Sequence, residues 1–169
     1  EGGQNLQDHV DVTIGYKVNR PDVFGISFQT LWRMLRDIPA YRRRGHGFWS
    51  TNVLESGAFL SIESPPDWPD IQLHFAVGCI RDHGRKWVLG HGLFAQPMID
   101  PRFLEAEADL RLLSAGVKKT QEIMAAPPMG PNITKDLTFG HVQTEQDFTQ
   151  TLRDQAETVY HPVGTCRMG

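Results

Sequence analysis

Val10, Val12, Ile14, Tyr16 and Val18 alternate with Asp11, Thr13, Gly15 and Lys17, a period of two that predicts a half-buried strand. Ile71, Leu73, Phe75 and Val77 repeat the pattern around Gln72, His74 and Ala76. A third strand is expected over Gly57-Ala58-Phe59-Leu60-Ser61-Ile62, stopped by Pro65-Pro66. Between the first two, Phe28, Leu31, Trp32, Leu35 and Ile38 recur at helical spacing and predict a helix that ends at Pro39. Arg42-Arg43-Arg44 then reads as a solvated helix end, with phosphate binding as the alternative.

The second half changes period. Leu110, Leu113, Val117 and Met124 mark one face of a helix from about 105 to 124, ended by Pro127-Pro128. Phe148, Leu152, Ala156 and Val159 mark another, with Thr144 as its cap and Asp147 in a capping box with a shorter acid. From 125 to 141 the Gly/Pro content predicts a long connecting loop. Strands first and helices after, without βαβ alternation, predict an α+β fold with a mostly antiparallel sheet backed by helices. The length of 169 residues fits a single domain over 1–169.

Composition narrows the function classes. A formal net charge of −3 offers no basic footprint for nucleic acid. No apolar run approaches the ~20 residues that span a bilayer. The N-terminal Glu1-Gly2-Gly3-Gln4-Asn5 carries no signal-peptide pattern and reads as an internal cut. Cys79 and Cys166 lack metal-type spacing and read as buried free thiols, with a bridge between them as the alternative. Free thiols fit a reducing, cytoplasmic setting.

Several patterns that imitate chemistry are set aside. Gly90-His91-Gly92-Leu93-Phe94-Ala95 matches the dinucleotide fingerprint, yet Pro97 and Asp100-Pro101 leave no room for the helix that meets a pyrophosphate. No two of the seven histidines have the i, i+4 metal spacing, and no G-x-S-x-G elbow occurs. His74 reads as a structural strand histidine, and His83 and His91 as turn residues. His161 stands after the last helix and before Pro162, on a stretch that Gly164 and Gly169 let turn tightly. It is well placed to project into a cleft; on these residues alone a structural or exposed histidine still ranks ahead of a catalytic one.

The run His161-Pro162-Val163-Gly164-Thr165-Cys166-Arg167-Met168-Gly169 resembles the H-P-x-G-T-C-x-M-G motif of the glucose–methanol–choline oxidoreductases. Gly3-Gln4-Asn5-Leu6-Gln7-Asp8-His9 is similar to that family's G-x-N-L-Q-D-H. Glu55-Ser56-Gly57-Ala58-Phe59 resembles its E-x-G-x-F, and Ile99-Asp100-Pro101-Arg102-Phe103-Leu104 its I-D-P-x-Y/F-L, in the family's order. The resemblance implies the substrate domain of a flavoenzyme with choline dehydrogenase-like activity. In such an enzyme hydride passes from a small alcohol's CH–OH carbon to FAD. It implies His161 as the base, for which an imidazole pKa of ~6.5 is suited. Val159 would line the substrate pocket and Asn5 would lie near the flavin.

Three departures qualify this. The N-terminal G-x-G-x-x-G that grips FAD is missing, so the chain alone is not expected to hold the cofactor and would need the absent FAD-binding domain as partner. The chain stops before the segment that carries the family's second active-site residue. Only Leu93 to Met98 connect His91-Gly92 to the I-D-P segment, where family members carry an S-R-G-x-V-x-L strand block. A break in the chain between Gly92 and Ile99, or self-association through uncovered apolar surface, is expected in consequence. The competing reading is a catalytically inert domain that folds separately and binds a small molecule or a protein.

Overall fold

Thr13 divides the first predicted strand into β1 (Val10–Val12) and β2 (Ile14–Val18). The computed structural model describes residues 7–20, 23–78, 80–81, 86–87, 90–99, 106–159, 161 and 163. The longest strand, β8 (Gly90–Ile99), organises the sheet. Along one edge it pairs β2 through Gly92–Ala95 and β1 through Met98–Ile99. Val12 and Thr13 are left opposite Pro97 and Gln96. Pro97 has no N–H to give the ladder, and pairing with the neighbour is interrupted there. On the other edge β8 takes β3 (Gly25–Ile26) and β5 (Ile71–Ala76). β5 in turn carries β4 (Leu54–Leu60). The far edge is closed by β9 (Ile133–Asp136) on β2 and by β10 (Ala156–Thr158) on β1. Every pairing is antiparallel, in line with the α+β expectation. A separate hairpin joins β6 (Ile80–Arg81) to β7 (Lys86–Trp87).

The expected break between Gly92 and Ile99 is not there. β8 runs through it as one strand. The G-x-G-x-x-A run is likewise strand and opens no helix, and His91 lies in β8 rather than in a turn. His83, Cys79 and Cys166 lie outside the described residues.

Helix α1 (Phe28–Arg44) passes through Pro39 instead of ending there. Pro39 is exposed, so the carbonyl left without a donor one turn earlier can turn to water. Arg42, Arg43 and Arg44 fill the last turn, where cations oppose the helix dipole, and Gly45 caps it at φ 66°. Its apolar stripe is bare: Phe28 is 83% exposed and Trp32 61%.

Helices α2 (Glu107–Ala125) and α3 (Glu145–Gln155) carry the core. Leu113, Val117 and Met124 of α2 and Phe148 and Leu152 of α3 pack with Val10, Val12, Ile14, Ile71 and Leu73. Gly116 lets α2 approach the sheet, because a Cβ there would lie 2.3 Å from Ile71 Cδ1. The Thr144–Asp147 capping box forms as expected: Asp147 N–H donates to Thr144 Oγ1 and Thr144 N–H to Asp147 Oδ2. The expected loop over 125–141 is only partly a loop. β9 interrupts it, held to β2 by the ladder and by the Thr134 hydroxyl donating to the Lys17 carbonyl at 3.1 Å.

Candidate active site

The two ends of the described chain meet along β1 and β10. Val10, Asp11 and Val12 face Thr158, Glu157 and Ala156, and beyond them the Val159 N–H donates to the His9 carbonyl at 3.3 Å. Further out, Gln7 and Val163 exchange both backbone hydrogen bonds, at 2.9 and 2.8 Å. Three residue steps from Val10 to Gln7 therefore oppose five from Thr158 to Val163. The C-terminal strand bulges, and His161 sits on the bulge.

Asp8 fills the space the bulge opens. Its Oδ1 accepts from the His161 N–H at 2.9 Å and from the His9 N–H at 2.8 Å, and its Oδ2 accepts from the Thr158 hydroxyl. The side chain is buried. Burial works against its charge, but the bonds from Thr158, His161 and His9 outweigh that cost and hold the carboxyl below its ordinary range. The His161 side chain is exposed, and its ring meets the His9 ring edge-on, centroids 5.8 Å apart. Val159 is half-buried at the start of the bulge. Asn5 lies outside the described residues. The structure thus brings His161 and Val159 onto one short segment, and adds Asp8 and Thr158, which the sequence did not single out.

Asp11 was also missed. The alternating pattern makes it an outward-facing position, yet it is 1% exposed, and neither carboxylate oxygen has a hydrogen-bond partner among the described residues. Burial, and then the charges of Glu157 and Asp8, push its pKa from 3.8 up to about 7. The folded chain therefore keeps a proton that the unfolded chain has lost. The contribution is fully present below 3.8 and disappears as pH rises through about 7. Asp11→Asn should flatten the fall in unfolding temperature between pH 4 and 7, and should raise that temperature above the parent's at pH 8. Thermal melts across this range check it; parallel curves for the two proteins would refute it.

Among the described residues no group of three His, Cys, Asp or Glu could hold a metal ion, and no helix is long and apolar enough to cross a membrane. A surface cleft of about 310 Å³ lies between Tyr16, Gln121, Ala125, Gly130, Ile133 and Asp136, and none of these belongs to the paired end segments.

Residues 91–169 match the family model of the GMC oxidoreductases. Over that segment the chain is similar to the C-terminal part of that family. It is 34% identical to an alcohol dehydrogenase [acceptor] of Pseudomonas putida, over all of this chain and 35% of that protein. It is 30% identical to an oxygen-dependent choline dehydrogenase of Pseudomonas putida strain F1, over 99% of this chain and 34% of the relative. The chain thus spans about a third of the length of the curated relatives it matches. The first of these alignments runs over 192 positions against 169 residues here, so the relative carries residues that this chain lacks. Among solved structures, a formate oxidase variant from Aspergillus oryzae RIB40, concerned with FAD modification, superposes with a TM-score of 0.76 at 16% identity. It covers 98% of this chain and 38% of that one. Pyridoxine 4-oxidase from Mesorbium loti gives 0.71 at 18%, covering 99% and 33%. These likenesses show the fold: an antiparallel sheet with its helices.

Proposed function

We propose that the complete protein oxidises the CH–OH group of a small, choline-like alcohol with FAD, and that His161 is the base that takes the hydroxyl proton. The observation that carries this is the pairing of the two family motifs into one bulged ladder, with the His161 imidazole exposed on it. An imidazole can accept a proton from an alcohol at neutral pH and release it to water afterwards. Val159, half-buried beside the bulge, would line the alcohol pocket. Asn5 would approach the flavin from the other motif.

The described residues do not fit the phosphate half of FAD. That half needs glycine-rich backbone opening a helix, and the one such run in this chain is paired strand throughout. FAD therefore belongs with residues beyond this chain, and when bound it supplies the hydride acceptor. The bare stripe of α1 would serve as contact surface for that missing domain or for a second copy. A cytoplasmic location completes this reading, supported by the scarcity of cysteine.

The test is anaerobic. Adding a small alcohol to the full-length, flavin-loaded protein should bleach the visible flavin band, and the 169-residue chain made alone should be colourless. An unbleached band with choline-type and simple primary alcohols would leave the inert binding domain as the better reading.

A further inference from the structure

We propose that Asp8 is the positioning residue of His161, acting on the imidazole through the backbone of the bulge. The inference rests on the reading of His161 as the base and goes one step behind it.

A bulge removes residues from the ladder and leaves their amides without a strand partner. At His161 the replacement partner is the Asp8 carboxylate, at 2.9 Å. The next residue, Pro162, has no N–H with which to anchor the segment. The ring itself makes no hydrogen bond among the described residues; there it meets the edge of the His9 ring. Its position therefore follows from the backbone, and the backbone is held at Asp8. The carboxylate is a firm anchor, because it is 5% exposed and takes three donors from the two paired end segments. Charged acceptors form the stronger bonds. One of those donors is the amide of His9, so a single group fixes both imidazole-bearing residues.

Three variants of the full-length, flavin-loaded protein test this. Asp8→Ala should lower kcat per bound flavin by roughly 10- to 100-fold, the scale set by a misplacement of about 1 Å, with the KM for alcohol little changed. Asp8→Asn keeps an oxygen for both amides and should restore most of the turnover. In a His161→Ala background, Asp8→Ala should cost nothing further, since the group it positions is gone. Should Asp8→Ala not fold, Asp8→Glu displaces the carboxylate by one methylene and should give the same loss. A readout free of turnover comes from the 169-residue chain labelled with 15N-histidine. The His161 amide resonance, assigned by its disappearance in His161→Ala, should lie downfield and return upfield in Asp8→Ala.

Parental kcat per bound flavin in Asp8→Ala, full additivity with His161→Ala, or an unmoved His161 amide would each overturn the proposal. If His161→Ala loses turnover and Asp8→Ala does not, Asp8 alone is misassigned. If His161→Ala itself keeps full turnover, the base reading falls and Asp8 with it.

Discussion

Replacing His161 by alanine should lower alcohol turnover of the full-length protein by roughly 10²–10⁴-fold, the span usual for a general acid–base group. The loss should fall on kcat, because the imidazole acts on a proton in flight and contributes little to holding the alcohol. Flavin content should stay at the parental level. His161 stands exposed on a bulge that is anchored by Asp8 through its backbone, so removing the ring leaves the anchoring hydrogen bonds in place. His9, whose ring centroid is 5.8 Å away, could take over the proton, and His9→Ala in the His161→Ala background should remove any residual pH-dependent turnover. Cys166→Ser should be far milder, since a free cysteine behaves as a small hydrophobe and serine is close to it in size. Steady-state kinetics normalised to bound flavin decide the matter. Turnover within a few-fold of the parent in fully loaded His161→Ala would take this residue out of the chemistry.

The elements legible in the sequence are those whose side chains alone specify their partners. Val10 to Val18 and Ile71 to Leu73 point apolar groups to one face, and Leu113, Val117, Phe148 and Leu152 close over it, so period and core agree. Where partners come from elsewhere in the chain, the pattern says little. β9 has no alternation; it is a strand because β2 and the Thr134 hydroxyl recruit it. α1 outran its proline because the proline faces water and the last turn is rich in arginine. The site divides the same way. His161 and Val159 could be named from a motif, but Asp8 and Thr158 matter through a register slip between segments about 150 positions apart, which no local pattern encodes. Asp11 looked like an outward residue because β1 was expected to have one wet face. β10 and β8 flank it on both edges, and both of its faces are buried.

Leu152→Ala should be among the most damaging substitutions to stability in this chain, and its effect should reach His161. Leu152 is 0% exposed and belongs to the cluster that α3, through it and Phe148, shares with Phe139, α2 and the sheet. Truncating such a leucine typically costs about 2–5 kcal/mol, the lost transfer energy plus the cavity left behind. For a domain of this size each kcal/mol moves the melting temperature by roughly 2–4 °C, so a fall on the order of 5–15 °C is expected. Leu35→Ala on α1 provides the control. It removes the same atoms from a side chain that is 52% exposed, and in the 169-residue chain it should stay within about 0.5 kcal/mol of the parent. α3 ends at Gln155 and β10 begins at Ala156, with no residue between them to absorb movement. A loosened α3 therefore loosens the ladder that carries Thr158 and Val159 toward the bulge. Hydrogen exchange should show this as faster exchange at the Val159 amide, whose acceptor is the His9 carbonyl, while the Ala76 and Phe94 amides, in the β5–β8 pairing, stay protected. A melting temperature as high as that of Leu35→Ala would mean that α3 is not part of the core. A normal melting drop with unchanged Val159 exchange would mean that the site is insulated from the helix that precedes it.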